Sequence, residues 1–75
     1  MAETTHARFS GKNLRAARKA AGMSRQKLAQ AIDFEVGPHT IYLYERDHHV
    51  PLLNTAIGLA KALQISLKDL TDAKG

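Results

Sequence analysis

The chain contains no cysteine and no tryptophan, and its aromatic residues are limited to two phenylalanines and two tyrosines. The absence of cysteine excludes disulfide bonds and thiolate metal ligands. No apolar run approaches the roughly 18 residues that a membrane-spanning helix requires, and the first ten residues lack the apolar segment of a secretory signal. These absences predict a soluble, cytoplasmic protein with no membrane partner.

Acidic residues are also scarce, and they are missing from the whole stretch between Thr4 and Ile32. The net charge is +4, and this stretch carries seven basic residues, which are Arg8, Lys12, Arg15, Arg18, Lys19, Arg25 and Lys27. Such a block favours a polyanionic partner such as nucleic acid, or an anionic membrane surface. A basic helix that is merely well hydrated is the alternative interpretation.

One pattern of helix starts recurs four times along the 75 residues. An apolar residue precedes a capping residue, and a second apolar residue follows four positions after the cap, as in the hydrophobic staple. The four copies are Phe9-Ser10-Leu14, Met23-Ser24-Leu28, Val36-Gly37-Ile41 and Ile65-Ser66-Leu70. Pro38 follows the third cap at the position that proline favours in a helix, and Asp69 completes a capping box with Ser66.

A further helix, the fourth in chain order, is indicated by an apolar stripe with helical spacing, formed by Leu53, Ala56, Ile57, Ala60 and Leu63. The sequence therefore predicts an all-α fold, a compact five-helix bundle in which helices 2 and 3 are joined by a turn. A single domain is expected at this length. We expect it to span residues 11–70, with a flexible N-terminal arm at 1–10 and a polar tail at 71–75.

Helix 3 carries the most unusual surface. Ile41 and Tyr44 are spaced to pack inward, which leaves a second stripe facing outward, formed by His39, Tyr42, Leu43 and Arg46. A histidine, a phenol, a leucine and an arginine on one face indicate a contact surface rather than a merely hydrated one. Alternatively, Tyr42 or Leu43 packs under the N-terminal arm or in a dimer interface.

The register of helices 2 to 5 resembles the helix-turn-helix domain of the lambda repressor and Cro proteins, often called the Xre family. The residues that match are Leu14, Arg18, Gly22-Met23-Ser24, Leu28-Ala29, Thr40-Ile41, Glu45, Pro51, Leu53, Ile57, Leu59-Ala60, Leu63, Ile65-Ser66-Leu67 and Leu70. The resemblance covers about residues 11–70 and implies a lambda-repressor-like bundle. In this family the second helix of the motif enters the major groove of DNA.

The resemblance also implies roles for individual residues. Those placed to read bases are Pro38, His39, Thr40, Tyr42 and Leu43, and those placed to contact phosphate are Ser24, Arg25, Arg46, His48 and His49. Arg18 and Glu45 match a salt bridge between helices 1 and 3 that several relatives form. The implied partner is double-stranded DNA with a palindromic operator, bound by a weak homodimer or by a monomer that dimerises on DNA.

Three features depart from the family pattern. Phe34 and Glu35 are about two extra residues in the turn, so the recognition helix is expected to tilt or shift. Asp47 stands where glycine is common, although aspartate tolerates a left-handed backbone. Tyr42 and Leu43 replace the amide or arginine side chains that usually make bidentate base contacts, so a weakly specific reader is also allowed.

The sequence thus predicts a sequence-specific transcriptional regulator, with repression favoured over activation. The alternative is a protein-interaction module or an antitoxin-like protein that binds a toxin and contacts DNA secondarily, with Tyr42, Leu43, Val50 and Leu52 as the partner surface. Enzymatic activity is not expected, because the serines serve as caps and no glycine-rich phosphate loop occurs. The four histidines, His6, His39, His48 and His49, lack metal-ligand spacing, so no metal or cofactor is expected.

Overall fold

The four recurrent patterns begin four of the helical elements of the protein. The computed structural model describes the backbone of residues 6–74 and the side chains of residues 8–72. The elements are β1 (His6–Phe9), α1 (Gly11–Ala20), α2 (Arg25–Ala31), α3 (Pro38–Glu45), α4 (Leu53–Leu63), a 3₁₀ helix (Leu67–Leu70) and β2 (Thr71–Lys74).

The staple pairs build most of the hydrophobic core. The apolar residues that follow the caps are all completely buried, namely Leu14, Leu28, Ile41 and Leu70. The apolar residues that precede the caps pack against them, half-buried, and these are Phe9, Met23, Val36 and Ile65. Because each pair fixes the angle at which the chain enters a helix, the same residues set the helix starts and fill the core.

The caps form the expected hydrogen bonds. The Oγ of Ser10 accepts from the Asn13 N–H at 3.1 Å, and the Oγ of Ser24 accepts from the Lys27 N–H at 3.0 Å. At the last start, the Asp69 carboxylate accepts from both the N–H and the hydroxyl of Ser66, each at 3.1 Å. Local chemistry therefore determines where these helices begin.

The predicted fold class is confirmed: the protein is a mostly helical, compact bundle. One detail differs, since the element predicted as the fifth helix is a single four-residue 3₁₀ turn at Leu67–Leu70. This turn places the buried Leu70 in the core, and β2 begins at the next residue. None of the described helices has the length and apolar character needed to cross a membrane.

The chain ends differ from the expectation of a flexible arm and a polar tail. β1 and β2 pair as an antiparallel ribbon in which Phe9 lies opposite Thr71 and Arg8 lies opposite Asp72. The ribbon is anchored where the Ser10 N–H donates to the Leu70 carbonyl at 2.8 Å. In the part of the expected arm that the structure describes, His6–Phe9 forms sheet hydrogen bonds with β2; positions 1–5 and 75 lie outside the described residues.

Phe9 connects this ribbon to the helices. Its ring meets the ring of Tyr44 edge-on, with centroids 6.2 Å apart and planes at 70°, an arrangement that aromatic pairs favour. Since Tyr44 lies on α3, the N-terminal strand supports the helix that the sequence analysis singled out.

The turn between α2 and α3 accommodates the two extra residues through an unusual backbone. Asp33 and Phe34 both adopt left-handed conformations, each with φ of 56°. The Phe34 N–H donates to the Ala29 carbonyl at 2.8 Å, which closes the end of α2. Glu35 then reaches α4, where its carboxylate accepts a hydrogen bond from the Thr55 hydroxyl at 3.0 Å. The lengthened turn is therefore fastened at both ends.

Asp47 fastens the other end of α3. Its φ is 58°, the left-handed conformation for which glycine is common in the family. The side chain adds a contact that glycine lacks, because its Oδ1 accepts from the Gly11 N–H at 2.9 Å and so caps the start of α1. The C-terminal end of α3 is thereby held against the first turn of α1.

Candidate nucleic-acid interface

A buried carboxylate, Glu45, lies where α1, α2 and α3 meet. Its Oε2 lies 2.6 Å from the Arg18 Nε, and its Oε1 accepts from the Arg18 Nη2 at 3.3 Å. Arg18 also donates through Nη1 to the Met23 carbonyl at 2.8 Å. The ion pair implied by the family resemblance is thus present, with side chains only 9% and 1% exposed.

Arg25 is a second arginine on the same carboxylate. Its Nε donates to the Glu45 Oε1 at 3.0 Å, and its Nη2 lies 3.0 Å from the same oxygen. The family resemblance implied only a phosphate contact for Arg25, and its bond to Glu45 was not predicted from the sequence. The side chain is 35% exposed, so the guanidinium bonds the carboxylate on one side and faces solvent on the other.

The buried and exposed residues of α3 are divided as their spacing predicts. Ile41 and Tyr44 are buried, whereas His39 is exposed. The other four residues assigned to base reading are half-buried, and these are Pro38, Thr40, Tyr42 and Leu43. The structure therefore brings all five candidate base readers onto one helix whose opposite side is anchored in the core.

Tyr42 is the centre of a cluster on this face, which we call the Tyr42 cluster and define as Arg25, His39, Tyr42 and Arg46. The His39 and Tyr42 rings stack with centroids 6.0 Å apart and planes at 23°. The Arg25 Cζ lies 5.0 Å from the Tyr42 ring centroid and the Arg46 Cζ 5.7 Å from it, distances typical of cation–π contacts. The Arg46 Nη1 also donates to the Tyr42 hydroxyl at 3.4 Å.

Spacing within helix 3 predicted that His39, Tyr42 and Arg46 share a face, but it did not predict that Arg25 joins them. Arg25 begins α2, 17 positions before Tyr42. No periodicity relates residues on different helices, so only the packing of α2 against α3 reveals the contact.

The candidate phosphate contacts occupy two places beside this face. Ser24 and Arg25 lie at the N-terminal end of α2. Arg46, the C-cap of α3, begins an exposed segment that also contains His48 and His49. Arg25 and Arg46 both contact Tyr42, so these two places supply basic residues beside the outward face of α3.

The environment of Tyr44 changes the titration of its hydroxyl group. Burial raises the pKa of its hydroxyl above the ordinary value of 10.0, and the negative charge of Glu35 raises it further. Both causes disfavour the phenolate. Tyr44 therefore acts as an uncharged anchor beneath α3, in keeping with its contact to Phe9.

Comparison with known proteins agrees with this geometry. A helix-turn-helix family model matches residues 14–70. The crystal structure of the P22 c2 repressor in complex with a synthetic operator superposes with a TM-score of 0.73 at 30% identity, covering 80% of this chain and 88% of that one. The restriction-modification controller protein C.AhdI from Aeromonas hydrophila gives a TM-score of 0.74 at 30% identity, covering 80% and 84%. No curated protein matches the sequence.

The family match spans most of the chain and includes Arg18, Arg25, Glu45 and all of α3. The residues of the buried ion pair and of the outward face thus lie within the matched segment. The chain belongs to the lambda-repressor-like helix-turn-helix family, and it is a DNA-binding transcription regulator.

Proposed function

We propose that this protein is a transcriptional repressor that reads a specific double-stranded operator with α3 in the major groove. The observation that carries the proposal is the composition of α3, where five residues that offer base contacts stand on one helix that Ile41, Tyr44 and Glu45 anchor in the core. A similar protein, the P22 c2 repressor, has been crystallised in complex with an operator.

The contacts in this proposal divide into two kinds. Base edges are read by Pro38, His39, Thr40, Tyr42 and Leu43, and phosphates are contacted by Ser24, Arg25, Arg46, His48 and His49. Phosphate contacts fix the register of the protein on the duplex but carry no sequence information, whereas base contacts supply the specificity. Leu43 offers an apolar contact suited to a thymine methyl group.

Two copies of the chain are proposed to bind one palindromic operator. A two-fold arrangement of helix-turn-helix units places the recognition helices about 34 Å apart, one turn of B-DNA. The protein is then a weak dimer or a monomer that pairs on DNA. No enzymatic step belongs to this function.

Selection of bound duplexes from a random pool is the test. We expect enrichment of a palindrome whose half-sites are separated by about one helical turn. Enrichment of a single half-site would retain DNA reading but contradict pairing on DNA. Recovery of random sequence in equal yield would contradict specific reading.

Exposed apolar residues after α3 favour one alternative function, that of a partner-binding or antitoxin-like protein. Val50, Leu52 and Leu53 follow the recognition helix and are 70%, 78% and 64% exposed, a concentration of apolar surface typical of protein contacts. Duplex binding at low salt discriminates between the two functions. If a folded sample bound no duplex at low ionic strength, where phosphate contacts are strongest, partner binding would be the better assignment.

A further inference from the structure

Arg25 joins the buried ion pair to the outward face of α3, and this position has a consequence for base recognition. We infer that Tyr42 determines specificity by donating its hydroxyl proton to an acceptor on a base, and that Arg25 is the positioning residue that fixes the Tyr42 ring. The inference rests on the proposed function and deepens it, because it names one residue that selects a base and the class of base that it selects.

Arg25 is held in place by its bond to the buried carboxylate of Glu45. Its guanidinium bonds the Glu45 carboxylate through Nε at 3.0 Å, and that carboxylate is held in turn by Arg18 at 2.6 Å. Glu45 is almost completely buried, so its position is set by the core. Arg25 therefore presents a planar group of fixed orientation to the Tyr42 ring, 5.0 Å from its centroid.

The Tyr42 ring is contacted by side chains from two helices. Arg25 on α2 and His39 and Arg46 on α3 all contact Tyr42. A half-buried tyrosine on a helix surface ordinarily has a choice of rotamers. Contacts from two different helices restrict that choice before DNA is bound, which lowers the entropic cost of making a base contact.

The direction of the Tyr42 hydroxyl proton follows from the contact of this hydroxyl with Arg46. The hydroxyl oxygen already accepts a hydrogen bond from the Arg46 Nη1 at 3.4 Å. Because a phenol has a single proton, that proton is left to be donated outward. Arg46 has only donors and is assigned to phosphate, so the Tyr42 hydroxyl is the donor that this contact leaves for a base.

A single fixed donor selects among base edges. In the major groove guanine presents two acceptors, N7 and O6, whereas cytosine presents the N4 amino donor. The Tyr42 cluster therefore favours guanine over cytosine on the strand that it faces. At that one base pair we expect discrimination of roughly tenfold from Tyr42, in the range of a single good base contact.

The test compares selections from the same random pool for the wild type, Tyr42→Phe and Arg25→Lys. Tyr42→Phe keeps the ring but removes the donor, so the preference for guanine at one base pair should fall by about tenfold. Arg25→Lys keeps the charge but loses the planar fork that bonds Glu45 and stacks on the ring. It should weaken the preference at that same base pair and leave the other positions unchanged.

Lys27→Gln is the matched control, because it removes a positive charge from the same helix. Within the described residues the Lys27 side chain is exposed and makes no hydrogen bond or ion pair. We expect it to lower affinity for all sequences in equal proportion, or not at all. The inference is overturned if Arg25→Lys behaves like Lys27→Gln, which is the behaviour of a phosphate contact alone.

A spectroscopic readout without DNA tests the positioning step separately. In NMR spectra, Arg25→Lys should shift the Tyr42 ring resonances, with the Tyr44 ring as an internal reference for an intact fold. Unchanged Tyr42 resonances would contradict the positioning role. If the wild type enriches no sequence, the proposed function and the specificity claim fail together; if it enriches an operator that Tyr42→Phe reads equally well, only the inference fails.

Discussion

At the scale of single residues, Glu45 is a buried negative charge that forms ion pairs with two arginines. One nearly inaccessible carboxylate faces two guanidinium groups, of which Arg18 is buried and Arg25 is about one-third exposed. Removing a partner from a buried ion pair costs far more than removing one from an exposed pair, since the remaining charge is stranded away from water. The two arginines are therefore unequal although both bond the same group.

This inequality gives a stability prediction. Glu45→Gln should lower the free energy of unfolding by about 3 kcal/mol, because the Arg18 guanidinium stays buried without an opposite charge. Arg25→Gln should cost less than about 1 kcal/mol, because its side chain reaches solvent and Arg18 remains to neutralise the carboxylate. Urea denaturation of the two variants measures the difference. Equal losses would show that Arg25, rather than Arg18, stabilises the buried charge.

Tyr44 gives a prediction of pH dependence. Burial first, and the Glu35 charge second, raise the pKa of its hydroxyl above 10.0 in the folded protein. The folded protein thus retains this proton at a pH where the unfolded chain has released it. The stability linked to Tyr44 is complete below about pH 10 and is lost as the pH rises through the folded value.

Replacing Tyr44 with phenylalanine removes that linkage. Between about pH 8 and pH 11 the melting temperature of Tyr44→Phe should fall less than that of the wild type. An identical alkaline decrease in Tyr44→Phe and in the wild type would contradict a buried phenol.

At the scale of elements, the backbones of α1 and α3 lie close together at Gly11. A Cβ at this position would meet the Tyr44 carbonyl oxygen and would lie 2.7 Å from the Glu45 carbonyl oxygen. These are backbone atoms of α3, so they cannot move aside unless the helix moves as well. The absence of a side chain at Gly11 therefore sets the distance between the two helices.

Gly58, on α4, is the opposite case and supplies a matched comparison. A Cβ there would lie 3.9 Å from the Glu35 Oε1 and the Ile32 Cγ2, which is ordinary contact distance. Gly11→Ala should therefore destabilise the protein by about 2 kcal/mol through overpacking, whereas Gly58→Ala should stabilise it by up to about 1 kcal/mol. Thermal unfolding of both variants checks the two signs. Destabilisation by both would mean that α4 also requires glycine for close packing.

At the scale of the whole molecule, local chemistry accounts for what the sequence could predict. The helix starts were predictable because a cap and its staple involve only near neighbours. The caps at these starts are Ser10, Ser24, Gly37 and Ser66. The terminal ribbon was missed because its strands pair across the full length of the chain, as Phe9 with Thr71. β1 alternates polar and apolar residues over only four positions, and β2 contains a single apolar residue, so no pattern in the sequence relates the two strands.

The candidate site follows the same division. The outward face of α3 is a property of one helix and was predictable from spacing. The bonds from Arg25 to Glu45 and the Tyr42 ring join different helices, so a residue assigned only to phosphate has a second role that spacing does not show. The left-handed backbone at Asp33 and Phe34 was likewise not predicted, because the departure from the family pattern indicated extra residues without their conformation.

The last prediction concerns where the charge of the molecule acts. Each phosphate contact contributes about −0.9 to the slope of log K against log salt concentration. If Arg46 contacts phosphate in each half-site, Arg46→Gln should make the slope of a two-copy complex less negative by about 2. Lys61→Gln lowers the net charge equally, but Lys61 lies on α4 beside the C-terminal end of α2, away from Ser24 and Arg25. It should leave the slope unchanged in filter-binding titrations from low to physiological salt, and equal changes in both variants would mean that net charge rather than placed contacts drives binding.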